Sequence, residues 1–397
     1  MLKTTYDIVI VGGGLGGSTF AKVMAESGAR VLVLERETRF RDRVRGEAVH
    51  PWGVIEATRL GIADLLQSTC AHTIPWFERY RGETRVLHHD LVAQYGAPEL
   101  KFYHPAMQEA LLQAAADAGA CVRRGVHVRD VRGGAPPEVT AACDGGVETW
   151  CPRLVVAADG RNSLARRWGK FSVRRDPKLS LIAGLLFDGM PAPTDWVRIF
   201  TTQLDRAVLC FPQGNGRVRL YYVHRYDVSP LRGEADVPHF VAAARSAGAP
   251  AQLFAEARPA GPLATFDTAD RWVNHPYGNG VVLIGDAAAT NDPTNGDGMS
   301  LTLRDARVLR DCLRHDADWD TAAHAYAAEH DRYYGVLHAV QGWFRELFRD
   351  LGPDGEARRA RVLPLHQQDP SRIPDHIFGG PDLPFNETIR RRFFGEE

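Results

Sequence analysis

Near the start of the chain, four apolar residues, Ile8 to Val11, run without a break. Residues 6–11 read Tyr-Asp-Ile-Val-Ile-Val, glycines crowd positions 12–17, and a helix-compatible stretch over 18–27 ends at Gly28 before a second apolar run, 30–34, closes on Glu35. Continuous β-branched runs mark strands covered on both faces, and strand–helix–strand order marks a β-α-β unit with a parallel sheet. The same buried-strand pattern returns at 154–158 and 281–284. Between them the pattern changes. Short runs at 181–187, 197–201, 207–211 and 218–223 are separated by Asp-Gly, Pro and Gly-Asn-Gly signals, which predicts an antiparallel sheet. A long helix is expected over 300–315 and an aromatic-rich one over 321–349, while the Pro-rich 353–385 segment reads as irregular.

The predicted class is α/β: a Rossmann-like nucleotide domain with an inserted, mainly antiparallel sheet and a C-terminal helical segment. The nucleotide domain is expected over 1–75, 98–170 and 275–330, the sheet domain over 76–97 and 171–274, and the C-terminal segment over 331–397.

Charge narrows the function classes. Lys and Arg number 48 against 49 Asp and Glu, a formal charge of -1, so no basic footprint for nucleic acid or an anionic membrane is present. The longest apolar runs fall well short of the ~20 residues that a membrane helix needs. Asp7 and the glycines occupy the place where a signal peptide would carry its apolar region, so a cytoplasmic protein without stable membrane association is expected. The 6 cysteines form no Cys-x-x-Cys pair, which argues against a zinc ribbon or redox dithiol. His88-His89-Asp90 reads as a solvated loop, because adjacent strand histidines point to opposite faces, and no metal site is expected.

Three motifs carry the candidate chemistry. Gly12, Gly14 and Gly17 form G-x-G-x-x-G between a strand and a helix, with Leu15 and Gly16 inside it and Glu35-Arg36 closing the next strand. Such glycines let backbone approach a pyrophosphate at a helix N-terminus, and the terminal acid accepts from ribose hydroxyls while repelling a 2′-phosphate. The second motif is Asp159-Gly160 after the 154–158 run. The third is Gly285-Asp286 after 281–284, continuing through Pro293, Gly298 and Met299. Each places an acid where a strand's carboxyl end meets ligand.

In this order the motifs resemble the single-component, class A FAD-dependent aromatic hydroxylases, the para-hydroxybenzoate hydroxylase-like flavoprotein monooxygenases. The resemblance implies that Gly12, Gly14, Gly17 and Glu35 hold the ADP half of FAD, that Asp159 supports FAD and a passing NADH or NADPH, and that Asp286 reaches the ribityl chain. It further implies that Pro293, Gly298 and Met299 lie against the isoalloxazine and that the helix after them points its positive end at the flavin. Arg45 matches an arginine at the FAD pyrophosphate. His104 stands where relatives carry Arg or Gln, and Ala289 replaces the histidine that usually follows the Gly-Asp motif.

The implied reaction is hydride transfer from NAD(P)H to FAD, formation of a flavin C4a-hydroperoxide with O2, and hydroxylation of a small aromatic or heteroaromatic substrate by a monomer or homodimer. A base near the substrate is wanted. Tyr222 and His224, on one face of a predicted strand, are the first candidates, ahead of Arg198 and Arg219. A geranylgeranyl-reductase-like reduction of alkenes, an epoxidase or an N-hydroxylase would use the same FAD motifs. A halogenase ranks lower, because none of the 8 tryptophans forms Trp-x-Trp. A flavoprotein sensor lacks any appended partner domain.

Overall fold

The Ile8–Val11 strand is buried at every residue because neighbours cover both its edges and both its faces. Leu154–Ala157 and Val31–Glu35 flank it in parallel, with Ile8 opposite both Leu154 and Val31. Val281–Leu283 and Cys121–Arg124 extend the parallel sheet on either side, and Tyr277–Gly278 adds an antiparallel edge. The computed structural model describes residues 6–44, 46–143 and 145–397.

Strand alternation divides the core. Ile8, Ile10, Val31 and Val33 pack on Phe20 of the Leu15–Glu26 helix, Leu111 of the His104–Asp117 helix and Leu309 of the Gly298–His315 helix. Val9, Val11, Leu32 and Leu34 face a three-stranded sheet through Val131, Val139 and Ala141. Each fully buried aliphatic contributes about 1.5–3 kcal/mol, which is why this half of the chain is set by apolar pattern alone.

Among the described residues the second large sheet has eight strands. Ser180–Asp188, Trp196–Thr201, Ala207–Pro212 and Val218–Arg225 match the expected antiparallel runs, joined by Trp76–Arg81 and Thr84–Asp90 from earlier in the chain. One pairing, Trp196–Thr201 with Trp76–Arg81, is parallel. One face, with Leu185, Leu220 and Tyr222, is covered by Phe240 and Ala244 of the Val237–Ser246 helix. The opposite face, with Ile182, Tyr221 and Val223, turns toward Val44, Ile74 and Phe378. The approach is close: a Cβ on Gly184 would stand 2.3 Å from Val44 Cγ1.

Two local expectations are corrected. Residues 88–90 end a strand rather than a loop, and His88 stacks on Trp76 at 5.2 Å. The Pro-rich 353–385 segment is mostly helical, with a helix at Pro353–Gln368 and a single turn at His376–Gly379; the Glu387–Phe393 helix follows it. Pro353 occupies the first helical turn, where its missing N–H removes no intrahelical bond. The helix expected over 321–349 is one long helix, Trp319–Phe348, capped by Arg349, and its Tyr326 hydroxyl donates to the Leu283 carbonyl at 2.8 Å. Among the described residues no helix is long and apolar enough to cross a membrane.

Candidate cofactor and substrate site

The central strand delivers the chain into Gly12, whose φ of +102° places it 2.6 Å, Cβ to oxygen, from the Ala158 carbonyl if any side chain were added. A Cβ on Gly17 would lie 1.9 Å from the Gly12 carbonyl, so the helix can sit on the turn only with glycine there. Gly14 caps the Leu15–Glu26 helix without a side-chain bond, leaving the first backbone N–H groups for an anion. Gly16 serves packing: its Cβ would meet Thr302 Cγ2, on the neighbouring helix, at 2.9 Å.

Glu35 ends its strand 6% exposed. Its two oxygens accept the Gly13 and Glu37 N–H groups, each at 2.7 Å, which fixes the carboxylate at the cleft with lone pairs left for hydroxyl donors. A cavity of about 190 Å³ lies here, lined by Gly12, Gly14, Glu35, Arg36, Gln108 and Asp159 among others. Asp159 Oδ2 accepts the Leu164 and Ala165 N–H groups at 2.8 and 3.1 Å, while Oδ1 is buried with no partner among the described residues. An orphaned carboxylate oxygen, a glycine cradle and unspent helix N–H groups fit an adenine dinucleotide with a pyrophosphate.

The second half of the site is built on the Gly298–His315 helix. Gly285 donates its N–H to Asp305 at 2.7 Å, and Asp305, pushed up to about 6 by burial, also accepts from Tyr333. Half-buried Asp286 stands beside the helix start, its Oδ1 4.0 Å from where a Gly298 Cβ would be. Pro293 is half-buried on the loop leading to Gly298, and Met299 is buried in the first turn of the helix that follows. His104 begins its helix and donates from Nδ1 to the Gly46 carbonyl at 2.9 Å. Arg45 lies outside the described residues.

Tyr222 and His224 share a face, stacked at 5.1 Å, but that face lies under the Val237–Ser246 helix. His224 Nδ1 donates to the Arg225 carbonyl, and burial pushes its imidazole pKa down. The structure therefore does not bring these two candidates to the Gly298 loop. The neighbours on the same strand, Arg219 and Tyr221, are the ones turned that way.

Sequence reasoning offered Arg219 only as a lesser base candidate and missed the charged layer to which it belongs. Arg219, fully buried, bonds Glu47 at 2.8 Å and Asp42 at 2.8 Å, and Tyr221 reaches Glu47 at 3.5 Å. Burial pushes the Glu47 carboxyl up against the opposing pull of Arg219. On the facing Glu99–Phe102 strand, Leu100 and Phe102 enter the core while Glu99 and Lys101 point the other way, also fully buried, with Lys101 Nζ 4.3 Å over the Phe211 ring. The alternation Glu-Leu-Lys-Phe was the available signal. Gln108 was missed too, although it sits one turn after His104 on the cleft side of the same helix.

Asp176, Asp270 and His338 also converge closely enough to hold a metal ion. Arg345 fills that cluster, pairing Asp176 at 2.7 Å and Asp270 at 3.0 Å, so it reads as an ion-pair network that ties the long helix to the chain beside the Val173–Arg175 and Arg271–Val273 strands.

Comparison with known proteins agrees with the cradle. Ubiquinone hydroxylase UbiL of Rhodospirillum rubrum is 28% identical over 95% of this chain and 91% of its own length. Menaquinone reductase of Mycobacterium tuberculosis is 26% identical over 77% of this chain and 76% of its own. Among solved structures, p-nitrophenol 4-monooxygenase PnpA of Pseudomonas putida superposes with a TM-score of 0.76 at 19% identity, covering 99% of this chain and 97% of that one. The family model described as the FAD binding domain matches residues 5–324, and with most of its length so matched the chain belongs to that family of flavoproteins.

Proposed function

We propose that the protein is an FAD-dependent monooxygenase that consumes NADH or NADPH and O2 to hydroxylate a small aromatic or heteroaromatic ring. The observation that carries this reading is the one dinucleotide cradle found among the described residues, built from Gly12, Gly14, Glu35 and Asp159 in a chain whose second sheet has a buried inner face. One resident cofactor with a visiting nicotinamide fits that arrangement better than two fixed dinucleotides do. Similarity to a ubiquinone hydroxylase over nearly the whole chain supports it.

Bound FAD would supply hydride acceptance and the activation of O2. Glu35 would hold the ribose, the Gly12–Gly17 turn and Gln108 the pyrophosphate region, and Asp159 the flank open to the nicotinamide. Asp286 and the start of the Gly298–His315 helix would hold the ribityl and pyrimidine side, with Pro293 and Met299 laying the loop against the ring. The inner sheet face would bound the substrate. Its buried groups exclude water, and Tyr221 with Glu47 offers a hydrogen-bonded pair able to orient and take a phenolic proton.

A second reading is reduction of an alkene without O2, favoured by the similarity to menaquinone reductases. Both named relatives act on quinones by name, so quinols and naphthoquinols belong beside simple phenols in the substrate panel. Nicotinamide and O2 uptake measured together separate the readings: hydroxylation consumes both, while reduction consumes nicotinamide alone.

A further inference from the structure

We propose that His50 is a fixed imidazolium, held by Glu99 and braced by Lys101, that places a permanent positive charge under the 293–298 loop and so favours the reduced, anionic state of bound FAD. The geometry dictates the charge. His50 Nε2 lies 2.7 Å from the Asn295 carbonyl, which can only accept, so Nε2 carries a proton. Nδ1 makes a short contact with Glu99 Oε1, which is also an acceptor as long as Glu99 is ionised. Lys101 Nζ, 2.7 Å from the other Glu99 oxygen, keeps it ionised. With both ring nitrogens facing acceptors, the ring is doubly protonated.

The surroundings hold it there. His50 is 5%, Glu99 0% and Lys101 1% exposed, so water cannot screen the charge or exchange the partners. The His50 backbone N–H donates to Ser300 Oγ at 3.0 Å, which ties the residue to the helix start, and a Cβ on Gly296 would stand 2.6 Å from ring Nε2, so the ring is packed against the loop. Phe378 closes the remaining side, edge-on at 5.4 Å.

The charged groups that act most strongly on the ring are Glu99, Asp297 and Lys101. Burial opposes the His50 charge, but Glu99 and Asp297 outweigh it and Lys101, and the pKa rises above the ordinary histidine value. Glu99 is pushed up by burial yet brought down to about 2 by Lys101 and His50. Asp297 is itself raised by burial to about 7, so below neutral pH the charge on His50 rests on Glu99. Glu47 acts on Lys101, where it is already engaged by Arg219. His50 is thus a positioning residue for the cofactor's charge, in a chain whose Gly-Asp motif is followed by Ala289 rather than histidine.

The inference rests on FAD binding and holds for hydroxylase or reductase alike, so a failed hydroxylation assay leaves it standing. Two measurements test it. In ¹⁵N NMR of the flavin-free protein, both His50 ring nitrogens are expected protonated at pH 7, and Glu99→Gln should let the ring titrate between pH 5 and 8. In the FAD-loaded protein, His50→Gln should weaken binding of reduced relative to oxidised FAD roughly tenfold, about 30 mV in the two-electron midpoint potential. A neutral His50 at pH 7, or an unchanged midpoint in a fully loaded His50→Gln protein, would overturn the proposal. Should His50→Gln not hold FAD, the wild-type NMR titration decides it alone.

Discussion

Arg219 and Glu47 lie 172 positions apart in the chain and meet at 2.8 Å with neither side chain exposed. The same guanidinium reaches Asp42 at 2.8 Å, so one strand residue holds both Asp42 and Glu47 to the sheet. Removing the arginine leaves two acids facing each other without a counter-charge. Arg219→Met should cost about 3–5 kcal/mol, as breaking a buried pair does, read from the urea midpoint. Adding Glu47→Gln to that variant should recover part of the loss, because the orphaned charge is then gone. Equal stability of Arg219→Met and wild type would show that the clamp contributes nothing.

The cradle makes a sharper demand. Gly17→Ala places a methyl 1.9 Å from the Gly12 carbonyl, which forces the helix off the turn. Overpacking of this kind costs about 1–3 kcal/mol, and the displaced helix N-terminus should release flavin. Measured by the flavin-to-protein absorbance ratio after gel filtration, Gly17→Ala should emerge nearly colourless. Gly278→Ala, with nothing within 4 Å, should stay yellow.

Glu35 is the test of ribose recognition. Glu35→Ala deletes the acceptor and the ties to Gly13 and Glu37, and should weaken FAD binding at least about tenfold, the value of one charge-assisted hydrogen bond. Isothermal titration of the flavin-free protein with FAD reads this directly, and full affinity in the variant would remove Glu35 from the site.

Buried acids set a pH dependence for the flavin-free protein. Burial raises Asp297 and Glu47 to about 7, and Asp270 and Asp305 to about 6. In the unfolded chain such groups lose their protons near pH 4. Between there and pH 7 the folded state binds more protons than the unfolded, so stability falls as pH rises through that window. Glu99 works in the opposite sense but only below its unfolded value, as pH falls toward about 2. Urea unfolding at pH 5, 6 and 7.5 should show the decline, and Asp297→Asn should flatten it. A stability that climbs from pH 5 to 7.5 would contradict these assignments.

The parallel sheet was legible because a strand covered on both faces must be apolar at every position, as in residues 8–11 and 281–283. The antiparallel strands were legible from their turns. Alternation correctly put Tyr222 with His224 but could not say which face meets the cofactor domain, since that depends on Phe240 covering one side and Val44 the other. The charged inner layer was hidden for a related reason. Glu47, Glu99, Lys101 and Arg219 look solvent-facing in sequence, and only the fold supplies partners such as one 172 residues away. The tail misread as irregular turns on Pro353 and Pro364, which stand in the first turn and within a helix and were taken as breakers.

The most direct test of the proposed chemistry is simultaneous recording of NAD(P)H and O2 consumption by the FAD-loaded protein, with phenols, heteroaromatics and quinols added one at a time and H2O2 measured alongside. One compound should stimulate both in equal amounts, yielding a product heavier by one oxygen and little peroxide. Nicotinamide oxidation without O2 uptake, coupled to a saturated product, would contradict the monooxygenase and establish the reductase in its place.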